Sequence, residues 1–178
     1  METQKPVKDA ENFKFDMRPH VLIVCADFYP EITEKLAEGA TQVLVKAKVT
    51  YEKITVPGAL EIPAAIAFSM RSLDFDPLRR RNDGYIALGC VIKGETMHDE
   101  IVGRESARAL QDLAVRRTIA IGNGILTCNT MEQAQERADV NKQNRGGAAA
   151  MACLQMLELK QKLRLMTKRR WVVGPQDR

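Results

Sequence analysis

The chain has 178 residues, 45% of them hydrophobic and 28% charged, which allows one domain with a substantial core and is too little for two ordinary ones. No apolar run approaches the roughly 20 residues of a membrane helix, and the N-terminus METQKPVKDAENFKFDMRP lacks the apolar centre of a secretory signal, so a cytoplasmic protein without a membrane partner is expected. The net charge of +4 collects from Lys160 onward with no aromatic interleaving, which argues against a nucleic-acid partner. The widely spaced Cys25, Cys90, Cys128 and Cys153 and only two histidines argue against a metal.

Residues 1–19 mix charge with Pro6 and Pro19 and read as an arm, loose or taken up by a neighbouring subunit. The domain then runs over 20–165, followed by a basic tail over 166–178. VLIVCADF (21–28) is apolar enough for a buried strand, and Ile32, Leu36, Ala40, Val43 and Leu44 follow at helical spacing. A second strand at 50–56 precedes ALEIPAAIAFSM, a buried helix that starts near Gly58 with Pro63 in its first turns, where proline is tolerated. The charged stretch 74–83, with Pro77 and three successive arginines, is a solvated loop. A third strand, 85–92, leads through Gly94 into a helix at about 98–115. A fourth, 118–127, leads to MEQAQERA, capped by Asn129 or Thr130, and a last helix follows Gly146 and Gly147. This alternation predicts a three-layer α/β/α sandwich around a four-stranded parallel sheet, with flavodoxin-like topology.

Parallel strands end on one edge, so residues just beyond them gather although they are distant in sequence. Phe28 can offer a ring face to a planar heterocycle there, and Glu61 can accept hydrogen bonds from hydroxyls. The missing side chains of Gly58 and Gly122 let backbone approach a ligand. Thr96, beside the free N–H groups of the following helix, can cradle a phosphate, and His98 in the same turn can move protons, since an imidazole titrates at about 6.5. Neither GxGxxG nor GxxxxGK[ST] nor GxSxG is present, so dinucleotide cofactors, P-loop triphosphates and a serine nucleophile are disfavoured.

The segments VPGALEIP, GCVIKGETMHDEIV, IGNGILTCNTMEQAQERA and NRGGAAAMACLQM, in this order and spacing, resemble the lumazine synthase family over about residues 21–159. The resemblance implies condensation of 5-amino-6-(D-ribitylamino)uracil with 3,4-dihydroxy-2-butanone 4-phosphate, without metal or cofactor, in a homo-oligomer with sites between subunits. Phe28 would then stack on the pyrimidine, Ala59, Leu60 and Glu61 would hold its polar edge and ribityl chain, and backbone at Cys90, Val91 and Ile92 would complete that pocket. Glu95 and Thr96 would bind the phosphate, with Arg137 reaching it from the next subunit. His98 would shuttle protons, with the acid Glu136 near the reacting centre. Asp27 and Tyr29 stand where many members have Arg and Asn, Asn123 replaces a second aromatic, and Arg145 replaces a lysine that reaches the uracil oxygens. Prolines in the arm favour a pentamer, or two stacked, over a closed shell of sixty subunits. The rival classes are a non-catalytic member that binds a lumazine or flavin, and a flavodoxin-like electron carrier, which the basic charge disfavours.

Overall fold

Residues 21–26 are all apolar, and such a strand persists only when both its faces are covered. The structure, a computed structural model describing residues 9–166, supplies that cover. The buried strand β1 (His20–Ala26) is followed by α1 (Pro30–Lys46), β2 (Thr50–Val56), α2 (Glu61–Arg71), β3 (Gly84–Ile92), α3 (His98–Arg117), β4 (Ala120–Cys128), α4 (Met131–Ala138) and α5 (Arg145–Lys162). The strands are parallel, in the order β2-β1-β3-β4.

Right-handed crossovers then fix the layers. The step from β1 to β2 runs one way across the sheet, and the steps from β2 to β3 and from β3 to β4 run the other way. Helix α1 therefore covers one face, and α2 and α3 cover the opposite one. The core divides accordingly: Ile23, Ile86 and Leu88 pack with Leu36 of α1 and Leu154 and Leu157 of α5, while Leu22, Val24 and Tyr85 pack with Ile62 and Ile66 of α2 and Leu110 of α3. The three-layer sandwich is as expected, and Thr130 is the cap of α4, its hydroxyl accepting the Gln133 N–H at 3.3 Å.

Three local expectations are corrected. The part of the arm from Asp9 is held to its own domain: Phe13 is buried in the core, its ring 6.0 Å from that of Phe15. Gln161 of α5 accepts the Asp16 N–H at 2.9 Å and donates to the Lys14 carbonyl at 3.1 Å. Helix α5 begins at Arg145, so Gly146 and Gly147 lie inside its first turn, not before it. A Cβ on Gly146 would fall on the Leu36 carbonyl, so α1 and α5 approach at a distance that only glycine permits. Gly122 likewise serves packing and not a ligand, because a Cβ there would fall on the Ala149 carbonyl. The tail beyond Met166 lies outside the described residues.

Candidate active site

In an open parallel sheet a crevice forms where the winding reverses, here between the C-terminal ends of β1 and β3. A cavity of about 490 Å³ occupies that place. Phe28 and Tyr29 reach it from the end of β1, Pro57 to Glu61 from the end of β2, and Cys90, Val91, Ile92 and Gly94 from the end of β3. Thr96, His98, Asp99 and Val102 reach it from the turn and helix beyond. Topology thus brings together Phe28, Ala59, Leu60, Glu61, Cys90, Val91, Ile92, Thr96 and His98.

Phe28 is 70% exposed, which rules out an ordinary core aromatic. The Tyr29 ring forms a T-shaped pair with it, centroids 5.0 Å apart at 71°, and most of the Phe28 side chain stays open to a planar partner. Glu61 opens α2, where the helix dipole favours a carboxylate. The Cys90 thiol is pushed up to about 12 by burial, with the neighbouring Cys128 thiol adding to the effect, so it stays protonated and is no nucleophile. What Cys90 offers a ligand is its backbone.

After β3, Lys93 donates its N–H to the Cys128 carbonyl at 2.9 Å, and the chain then leaves the sheet. The Thr96 hydroxyl accepts the His98 N–H at 3.4 Å, and Asp99 Oδ1 accepts the Gly94 N–H at 3.3 Å. The N–H groups of Glu95, Thr96 and Met97 form no hydrogen bond among the described residues. Three successive free donors at the start of a 20-residue helix suit an oxyanion. Gly94 is not in the left-handed region, and a Cβ on it would meet nothing nearer than Asp99 Oδ1 at 4.0 Å, so the bend does not depend on glycine.

The remaining candidates stand elsewhere in the chain. Glu95 is exposed on the turn without lining the cavity. Asn123 lines a second cavity, of about 630 Å³, between α3 and β4, where its Oδ1 accepts the Ile125 N–H at 3.0 Å. Glu136 and Arg137 lie on α4 and Arg145 opens α5, on elements that pack with α1 across the sheet from α2 and α3. Arg137 is half-buried, its Nη1 donating to the Gln133 carbonyl at 3.4 Å, while Glu136 and Arg145 are exposed. Sequence reading passed over Val102 and Asp99. Val102 follows His98 at i+4, a spacing that places both on one helix face and was available as a signal.

The family model described as 6,7-dimethyl-8-ribityllumazine synthase matches residues 18–161. A protein named 6,7-dimethyl-8-ribityllumazine synthase from Bartonella tribocorum is 54% identical over 145 residues, covering 82% of this chain and 92% of its own. The protein of that name from Agrobacterium fabrum is 53% identical over 146 residues, covering 82% and 97%. A Rhizobium meliloti protein named 6,7-dimethyl-8-ribityllumazine synthase 1 is 51% identical over 144 residues, covering 81% and 93%. Fold, strand-end cavity and matched length agree, and the chain belongs to the 6,7-dimethyl-8-ribityllumazine synthase family.

Proposed function

We propose that the chain condenses 5-amino-6-(D-ribitylamino)uracil with 3,4-dihydroxy-2-butanone 4-phosphate to 6,7-dimethyl-8-ribityllumazine, releasing phosphate and water, the penultimate step of riboflavin formation. The observation that carries this reading is one cavity lined by an exposed aromatic, an acid, a histidine and Thr96, whose turn carries free backbone donors. The pyrimidine stacks on Phe28, with Glu61 and the backbone of residues 59–60 and 90–92 against its polar groups. Thr96 and the free N–H groups beside it hold the phosphate, with Glu95 on the same turn.

The amine attacks the ketone and loses water to give an imine, phosphate leaves by elimination, and ring closure expels a second water. Each step moves a proton between substrate atoms a few ångströms apart, so held geometry and one base serve better than a covalent catalyst. His98 is that base. Glu136, Arg137, Asn123 and Arg145 do not reach the cavity of their own chain, and they act on the cavity of a neighbour. Arg137, whose planar fork can grip two phosphate oxygens, completes the phosphate site from there, with Glu136 near the reacting centre. This requires a ring of subunits, and a pentamer in the cytoplasm is the assembly proposed.

His98→Ala lowers kcat by about a hundredfold, the lower end of what a positioned general base contributes. Arg137→Met raises KM for the butanone phosphate by about tenfold with a smaller change in kcat. Steady-state kinetics with each substrate varied separates the two. Equal effects on both parameters in both variants would contradict these roles.

A further inference from the structure

We propose that Asp99 is a positioning residue for this reaction, its carboxylate closing the turn that carries Glu95, Thr96 and His98. The inference rests on the reading of that turn as the phosphate-binding and proton-transfer element. Lys93 to His98 are all exposed, and Asp99 is the first half-buried side chain after β3. Its Oδ1 reaches back five residues to the Gly94 N–H at 3.3 Å. That bond takes the Gly94 N–H, while those of Glu95, Thr96 and Met97 have no partner among the described residues. Asp99 also stands in the wall between the 490 Å³ cavity and the 630 Å³ groove, since it and Val91 line both.

A first-turn acid needs no role beyond the α3 dipole, and an isosteric amide separates the two readings. Asparagine keeps an oxygen acceptor for Gly94 and removes the charge, whereas alanine removes both. Gly94 is an exposed residue, so water can take the place of the carboxylate in the alanine variant and the fold is retained. What is lost is the single arrangement of a short exposed turn, and with it the alignment of donors on the phosphate.

Kinetics on wild type, Asp99→Ala and Asp99→Asn test this. In Asp99→Ala, KM for the butanone phosphate rises by about tenfold, and KM for the pyrimidine diamine stays within roughly twofold of wild type. Asp99→Asn restores both to within roughly twofold, because the acceptor and not the charge sets the turn. Inorganic phosphate, followed by equilibrium dialysis, reads the same turn without turnover and weakens in the alanine variant alone. Unchanged phosphate affinity in Asp99→Ala, or an asparagine variant as impaired as the alanine one, overturns the role of Asp99. Wild-type turnover no faster than the uncatalysed reaction, alongside the predicted phosphate pattern, would instead sink the synthase reading and leave the turn assignment standing.

Discussion

His20, at the opposite end of the sheet from the cavity, shows how hydrogen-bond accounting fixes which ring nitrogen carries a proton. The Thr50 hydroxyl donates its one proton to the Pro19 carbonyl at 3.0 Å and accepts from Arg80 Nη2 at 2.7 Å. It can therefore only accept from His20 Nδ1 at 2.9 Å, so that nitrogen carries the proton. Burial, with the Arg80 guanidinium beside the ring, holds the imidazole below its usual range against the opposing pull of Glu52 and Asp83. The folded state thus binds this proton less readily than the unfolded chain does. Stability is fully present above about pH 6.5 and falls as pH drops from there through the lowered folded value. Denaturant unfolding at a series of pH values checks this: His20→Gln flattens that part of the profile, and an unchanged slope would contradict it.

At the level of elements, the strands were legible because buried apolar runs have few other uses, and the cavity residues were legible because parallel strands end together. Two features were hidden, one by a tertiary contact and one by a local backbone conformation. Glycine weakens a helix interior, so Gly146 and Gly147 read as a boundary. Only the Leu36 carbonyl, which lies where a Gly146 side chain would begin, shows why they sit inside α5. Gly146→Ala accordingly destabilises by roughly 1–3 kcal/mol and lowers Tm by several degrees, read by calorimetry. Thr118 read as the start of a strand, yet it ends α3 in the left-handed region at φ 53°. A β-branched residue is strained there, so Thr118→Gly stabilises by about 1 kcal/mol, seen as a higher denaturation midpoint with an unchanged slope. A lower midpoint would mean that the threonine makes a compensating contact.

At the scale of the whole molecule, the active-site candidates divide into two groups on different sides of one chain. Phe28, Glu61, Thr96 and His98 share a cavity, while Arg137 and Arg145 belong to the helices beyond β4. That division was not legible as geometry from sequence, because strand-end reasoning collects residues within one sheet and says nothing of what a second copy brings. Exposed Met97, Ile101 and Phe68 on and near α3 and α2 offer apolar surface for such a copy. Light scattering coupled to size exclusion is expected to give five times the 19.9 kDa chain mass, or ten times if rings stack. A monomer would leave the cavity without Arg137, and a mass near sixty copies would show that the arm prolines do not prevent shell closure. The central claim, that the strand-end cavity makes a lumazine with His98 as its base, is tested most directly by continuous absorbance. The purified protein is mixed with both substrates, beside His98→Ala and a blank without enzyme, because the condensation also proceeds slowly unaided. Lumazine formed well above the blank, and about a hundredfold more slowly with the variant, is the predicted result. A wild-type rate equal to the blank, with ligand still bound in the cavity, would contradict it.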